Sequence, residues 1–470
     1  MEGHKMSEGS FTHLVLLAVV VFALVCDGQM VKAISTNSSA RLLQHYIDGA
    51  VYLPLEGSFD VGLYYTKIYL GSPPKEFLVQ IDTGSDGLWV NCIFCKDCEH
   101  QSMLEVHPSF FDPSTSPTSG FIPCSDDQIC TGVGIGCSAQ NHCTYTHQYK
   151  DGSWALVDYL TDLIHLGKNV GTSTINTSTP ITFGCATHRQ SAESHTAILD
   201  GVLGLGNNQM SAVNQLAAKG VIPSIFSHCF KRTGGGSFVL GQVVQPNIMY
   251  TPMVPGANYR VELQSIYINE QPVPIDPQLF GANNGGTLID SGTTMGYIVM
   301  EAYDPFVNAI NQIVSNNVYI YNGEGRQCYA SSSSVFTIFP SIRLNFAGGA
   351  SMILQPIDYL VHQDSVDGTS HWCLGFFKSE KMSVLGDLLL KDKIVVYDLT
   401  NQRIGWTDYD CSQPIDVSIR KPSSTKRHHP SRHFHWTIIL LFSVLSILFL
   451  LLLLLAVLAC LNYVQQHMLE

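Results

Sequence analysis

Charge is scarce in this chain of 470 residues: Asp, Glu, Lys and Arg together make up only 13% of it. A disordered or solvating chain needs high charge and little apolar content, and here 45% of the residues are hydrophobic, so that class is excluded. Basic side chains are the scarcer sign, 25 against 38 acidic ones, for a formal net charge of −13. Without a basic footprint to meet phosphates, a nucleic-acid partner is excluded too. At roughly 100–200 residues per domain, the length leaves room for two or three units.

Long apolar runs lie at the two ends. Leu14 to Val25 is nearly unbroken, preceded by Lys5 and followed by Cys26-Asp27-Gly28. It reads as a secretory signal over residues 1–28, with an uncleaved anchor as the alternative, and residues 29–58 read as a pro-segment. Thr437 to Leu461 carries no charge and exceeds the roughly 20 residues that cross a bilayer as helix. Two readings stand for the 437–461 run. One is a single-pass span, although Arg420, Lys421, Lys426, Arg427 and Arg432 would then lie on the luminal side, against the usual bias. The other is a lipid-anchor signal, with the small residues Ser423, Ser424 and Thr425 ahead of a polar spacer. Either way the expectation is a body tethered by its C-terminal segment to the plasma membrane or cell surface. It would face the oxidising side above a polar, basic stalk at 413–436. Residues 29–418 hold 19 basic and 34 acidic side chains, a net of −15, which bears on solubility and steering rather than on fold.

Fourteen cysteines fit that compartment. Setting aside Cys26 and Cys460 in the apolar ends leaves Cys92, Cys95, Cys98, Cys124, Cys130, Cys137, Cys143, Cys185, Cys229, Cys328, Cys373 and Cys411. An even number in a secreted body reads as disulfides, with the pairing open. Cys92, Cys95 and Cys98 with His100 also have metal-ligand spacing, but disulfides are the preferred reading, and no metal or cofactor is expected. Asn37 and Asn176 head glycosylation triplets.

An internal repeat organises the middle. Val79-Gln80-Ile81-Asp82-Thr83-Gly84-Ser85 recurs as Thr287-Leu288-Ile289-Asp290-Ser291-Gly292-Thr293. Downstream, Asp200-Gly201-Val202-Leu203-Gly204 recurs as Ser383-Val384-Leu385-Gly386-Asp387. The first copy is longer, and its excess lies mostly in the cysteine-dense stretch 92–143. Two lobes on one plan follow, set at 59–247 and 248–412. Strand-like runs at Gly62 to Leu70 and Glu76 to Ile81 flank a Gly-Ser-Pro-Pro turn. Tyr145 to Tyr149 and Trp154 to Leu166 flank Asp151-Gly152, a hairpin signal. Helices are few. One is expected from Ser211 to Lys219, capped by Ser211 and stopped by Gly220. Another is expected to start at Asp304-Pro305, with Phe306, Ile310 and Ile313 on one face.

Each Asp-[Thr/Ser]-Gly follows an apolar strand and so presents a carboxylate at the end of a buried element. Gly84 and Gly292 allow the tight turn beneath it, and Thr83, Ser85, Ser291 and Thr293 supply hydroxyls that can donate to the carboxylates or the opposing backbone. One such turn means little; two in matching contexts point to a pair. If the lobes face each other, Asp82 and Asp290 meet, and two close carboxylates retain one proton over an acidic range. One Asp can then take a proton from water while the other protonates a peptide carbonyl, with no covalent intermediate.

On these motifs the chain resembles the pepsin-like aspartic proteases over about residues 60–412. Within them it is similar to the cysteine-rich plant group of nepenthesin and nucellin. The resemblance implies an all-β, bilobal pepsin-like fold with few short helices and an active-site cleft between the lobes. It implies that Tyr149, in Tyr149-Lys150-Asp151-Gly152-Ser153, is a flap tyrosine, supported from below by Trp89. Protein or peptide substrates and a monomeric endopeptidase active at acidic pH are the corresponding expectations. Trp154-Ala155-Leu156-Val157 departs from the small, polar residues many relatives carry after the flap turn. The second site has Ser291 where animal pepsins have Thr, which keeps the hydroxyl. The rival is a non-catalytic binding or inhibitor protein on the same scaffold, of a kind that tends to lose an Asp, a hydroxyl or the flap tyrosine.

Overall fold

The structure is a computed structural model that describes residues 50–98, 107–132, 134–170, 173–191 and 199–416. All lie in the first of the chain's two units, Met1–Ile419. The expected signal, most of the pro-segment, the stalk beyond Asp416, the apolar run 437–461, Asn37 and His100 lie outside the described residues. Among the described residues no helix is long and apolar enough to cross a membrane.

The fold is mainly β, with two lobes built on the duplicated motif. In the first lobe the strands are β1 (Ala50–Ser58), β2 (Leu63–Leu70), β3 (Lys75–Asp82), β4 (Asp86–Asn91), β5 (Cys143–Gln148), β6 (Trp154–Val170), β7 (Ser173–Gln190) and β8 (Gly201–Leu205). β8 runs parallel to β3, with Leu203 opposite Ile81 and Gly204 opposite Asp82, and antiparallel to β4. Val202, Leu203 and Leu205 of β8 are buried on both faces of the strand, as an element enclosed between neighbours requires. Gly204 is glycine because an added Cβ would strike the Gly87 carbonyl.

Helix α1 (Ala212–Ala218) follows, then β9 (Ile225–Phe230) and β10 (Gly236–Leu240). Ser211 is the N-cap residue of α1, but its hydroxyl makes no cap bond; Asn208 Oδ1 accepts the Met210 and Ser211 N–H groups instead. Gly220, at φ 68°, ends the turn beyond Lys219, where the sequence expected the stop.

The second lobe repeats the plan. After β11 (Met249–Val254), β12 (Thr287–Ile289) leads into the Asp290 loop, followed by β13 (Gly296–Val299) and α2 (Met300–Val314). β14 (Ser383–Leu385) is parallel to β12, with Leu385 opposite Ile289, and antiparallel to β13 at Tyr297 and Val384. The short helix α3 (Asp387–Leu390), β15 (Lys393–Asp398) and β16 (Arg403–Asp408) close the unit.

Two expectations about α2 are corrected. The helix starts at Met300 and not at Asp304-Pro305, so Pro305 lies inside it. The extra N-terminal residues are kept by packing: Ala302 and Tyr303 are buried, and the Tyr303 hydroxyl donates to the Phe376 carbonyl at 3.3 Å. Burial of these side chains with the rest of the apolar face offsets the backbone hydrogen bond that Pro305 cannot make. Phe306 and Ile310 face the core as expected, but Ile313 is exposed and Val314 takes the buried position.

The lobes share one antiparallel sheet, in the order β1, β10, β9, β15, β16, β11. β9 of the first lobe thus pairs with β15 of the second, Phe226 opposite Tyr397 and His228 opposite Val395. Residues 50–58, read in the sequence as the end of a pro-segment, are a strand of this sheet, bonded also to β2 and β6. Aromatic rings pack on it: Phe226 stacks on Tyr397 at 4.5 Å, and Tyr64 on Phe230 at 4.1 Å. Such contacts add about 0.5–1.5 kcal/mol per pair beyond area burial, so the floor beneath the lobe boundary is rigid.

The cysteines pair as Cys92–Cys185, Cys95–Cys98, Cys124–Cys137, Cys130–Cys143, Cys229–Cys411 and Cys328–Cys373. Cys92, Cys95 and Cys98 therefore use their sulfurs in disulfides. Among the described residues no cluster of His, Cys, Asp or Glu is arranged to hold a metal.

Candidate active site

β3 and β12 end at the same place from opposite lobes, and the residue that follows each apolar run is an aspartate. Asp82 is 6% and Asp290 5% exposed. Each carboxylate is held by its own loop. Asp82 Oδ1 accepts the Gly84 N–H at 2.8 Å, and Oδ2 accepts the Ser85 hydroxyl. Asp290 Oδ1 accepts the Gly292 N–H at 2.9 Å, and Oδ2 the Thr293 hydroxyl at 2.7 Å. The loops interlock: a Cβ on Gly84 would lie 2.5 Å from Asp290 Oδ1, and one on Gly292 would strike Asp82 Oδ1. Both glycines are thus required by the carboxylate of the other lobe.

Beneath the carboxylates, Thr83 and Ser291 are fully buried and join the loops. The Thr83 hydroxyl donates to the Ile289 carbonyl at 3.1 Å, and the Ser291 hydroxyl to the Ile81 carbonyl at 3.2 Å. Each hydroxyl also accepts the other residue's backbone N–H. All four groups are satisfied, which a buried polar set must be.

Burial, and then the charge of Asp290, push the Asp82 carboxyl up to about 7, against the hydrogen bonds from Ser85 and Gly84 that favour its ionised form. The pair therefore keeps a proton through the acid range, and that proton belongs to both carboxyls.

The structure brings Trp89 and Tyr149 together. The Trp89 indole N–H donates to the Tyr149 hydroxyl at 2.8 Å, and Trp89 is only 2% exposed. Tyr149 closes the turn between β5 and β6: its N–H donates to the Ser153 carbonyl at 2.9 Å, with Gly152 at φ 90°. Burial and then the Asp82 charge raise the Tyr149 hydroxyl's pKa, against the hydrogen bond from Trp89 that lowers it. The Trp89 bond thus ties the turn to β4, the strand that follows the Asp82 loop. Asn176 sits exposed on β7, opposite Gly167.

Several residues of the site escaped the sequence reading. Asp387 was read only as the end of a strand motif, yet it is 2% exposed, and its N–H donates to the Thr293 carbonyl at 2.8 Å. Burial, with Asp290 and Asp82 nearby, raises its pKa well above the usual carboxylate range. The available signal was a single charge inside the apolar run Val384 to Leu390. His147 lies 5% exposed between Trp89 and Tyr145, and burial lowers it to about 4. His228 is fully buried under the lobe boundary, its Nε2 3.2 Å from the Tyr397 hydroxyl, and burial lowers it to about 3. Nothing local in the sequence distinguishes these histidines from surface ones.

Known proteins are similar to this chain. Residues 64–242 match the family profile described as xylanase inhibitor N-terminal, and residues 258–408 match xylanase inhibitor C-terminal. Aspartic proteinase 36 of Arabidopsis thaliana is 36% identical over 378 residues, 78% of each chain. Aspartic proteinase 39 of the same plant is 35% identical over 399 residues, 82% of each chain. Aspartic proteinase nepenthesin-1 of Nepenthes gracilis is 28% identical over 372 residues, 74% of this chain and 78% of that one. Among solved structures, the basic 7S globulin from soybean superposes with a TM-score of 0.61 at 22% identity, covering 78% of this chain and 98% of that chain, a likeness of fold. This chain belongs to the plant pepsin-like aspartic protease family.

Proposed function

We propose that this protein is an aspartic-type endopeptidase that hydrolyses peptide bonds at acidic pH. The observation that carries the proposal is the interlocked pair of loops. Two buried carboxylates, each held by a Gly N–H and a hydroxyl, face each other across the lobe boundary. With one proton on the pair, one Asp accepts a proton from an attacking water and the other donates one to the carbonyl oxygen. The gem-diol then collapses as the leaving nitrogen is protonated. Tyr149 covers the pair and limits bulk water around the reacting bond.

Delivery belongs to the same proposal. The leader is removed before Ala50, because cutting after Ser58 would strip β1 from three partner strands. Asn176 carries a glycan, and residues 437–461 tether the disulfide-bonded body to a membrane on its oxidising side.

A second reading is favoured by the descriptions of the matching family profiles, which are those of xylanase inhibitors. On it, the cleft side binds another protein and cleaves nothing. The presence of Asp82, Asp290, both loop hydroxyl sets and Tyr149 weighs against it.

The test is hydrolysis of a denatured protein by the processed chain from acid to neutral pH, with and without pepstatin. Pepstatin-sensitive cleavage that is greatest in acid and fades toward neutrality supports the endopeptidase. A folded chain that cleaves nothing at any pH, and binds a xylanase instead, overturns it.

A further inference from the structure

Arg189 is the next-to-last residue of β7, opposite Ala155 of β6. Its guanidinium carbon lies over the Trp89 ring, 5.4 Å from the centroid. Its Nη1 donates to the Leu199 carbonyl at 2.8 Å, just ahead of Asp200-Gly201 at the start of β8. The cation is thus held between the indole face and the element that lies against Asp82.

Trp89 has one hydrogen to donate, and it reaches the Tyr149 hydroxyl only at one tilt of the ring. Three neighbours set that tilt. Gly184, opposite Trp89 in the parallel pairing of β4 and β7, leaves room where a Cβ would crowd the Trp89 and Val157 side chains. His147 stands 6.4 Å away with its ring inclined by 32°. Arg189 covers a face of the indole. A cation over that face is attracted by the ring quadrupole, more so where water is excluded. A planar guanidinium can lie flat on the ring and still donate from its edge in a fixed fork, whereas a lysine ammonium is a compact point charge on a flexible stem.

We propose that Arg189 is a positioning residue for the flap: it fixes Trp89, and through Trp89 it holds the Tyr149 hydroxyl over the carboxylate pair. The inference rests on the endopeptidase reading of the site. Arg189 touches no reacting atom on this account and acts only through Trp89.

The experiment uses the full chain with Arg189→Met, Arg189→Lys, Tyr149→Phe and the double variant Arg189→Met with Tyr149→Phe. Arg189→Met is expected to lower kcat/KM for a peptide substrate about fivefold, mainly through KM, with Arg189→Lys recovering part of the loss. Adding Tyr149→Phe to Arg189→Met should then cost much less than Tyr149→Phe costs alone, because both remove one device. Losses that multiply independently, or an unchanged KM with a lowered Tm, assign Arg189 to structure only and overturn the proposal. A readout free of activity is the fluorine spectrum of the chain labelled with 5-fluorotryptophan, with the Trp89 signal identified by Trp89→Phe. That signal should shift or broaden in Arg189→Met and move less in Arg189→Lys. An unmoved signal in a folded Arg189→Met chain overturns the inference. A wild-type chain without proteolysis defeats the endopeptidase reading alone, and the spectrum still decides whether Arg189 fixes Trp89.

Discussion

The Ser291 N–H donates to Thr83 Oγ1 at 2.9 Å, and the Thr83 N–H donates back to Ser291 Oγ at 3.1 Å. Residues 208 positions apart thereby hold two carboxylate loops in register across the lobe boundary.

Thr83→Val keeps the volume and deletes the hydroxyl, so the Ser291 N–H and the Ile289 carbonyl lose their partner. A loss of about 1–3 kcal/mol is expected for these unpaired buried groups. Urea unfolding measures that cost. Activity at acid pH should fall by more than the small unfolded fraction explains, because the relative placement of Asp82 and Asp290 is loosened. Ser291→Thr, which keeps the hydroxyl, should retain both stability and activity.

Stability should depend on pH through Asp82. Its folded carboxyl titrates at about 7 against 3.8 for an ordinary Asp, so the folded state holds the proton longer. The contribution is therefore fully present in acid and is lost as the pH rises from 3.8 through about 7. Asp82→Asn removes this loss. Its Tm should approach or exceed that of the wild type at neutral pH and compare less favourably in acid, by several degrees at about 2–4 °C per kcal/mol. Parallel Tm curves for the two chains would count against a raised Asp82.

The buried histidines pull the other way. His147 is lowered from 6.5 to about 4, so the unfolded chain takes up a proton that the folded chain refuses. Its stabilising contribution is complete above 6.5 and is lost as the pH falls toward about 4. At about 1.4 kcal/mol per pH unit, the full effect is on the order of 3 kcal/mol. His147→Met should narrow the gap between the urea midpoints at neutral and acid pH; an unchanged gap would show that His147 is already protonated in the folded state.

Much of the site was legible because its carriers are local. Asp82 and Asp290 each sit in a few contiguous residues, and duplication made the pattern specific. The hydroxyls beside them could be read for the same reason, since a Thr or Ser next to a buried Asp has few places to point. What escaped reading depends on contacts far apart in the chain. No local pattern says that β1 and β10 extend a sheet whose middle joins β9 to β15, so the strand at 50–58 could not be read. Arg189, His147 and His228 are ordinary residues until the strands bring them to Trp89, Tyr145 and Tyr397. The start of α2 was misplaced because Pro305 is a strong local signal, and the packing of Tyr303 overrides it.

On the proposed function, Asp82 and Asp290 act as one unit on a water molecule. The measurement closest to it is kcat/KM on one peptide at about pH 4, where the pair shares its proton, for the wild type, Asp82→Asn, Asp290→Asn and the double variant, each first shown to be folded. Either single substitution should abolish nearly all of the activity, and the double should cost little more. Substantial cleavage by either single variant, or losses that multiply in the double, would contradict it.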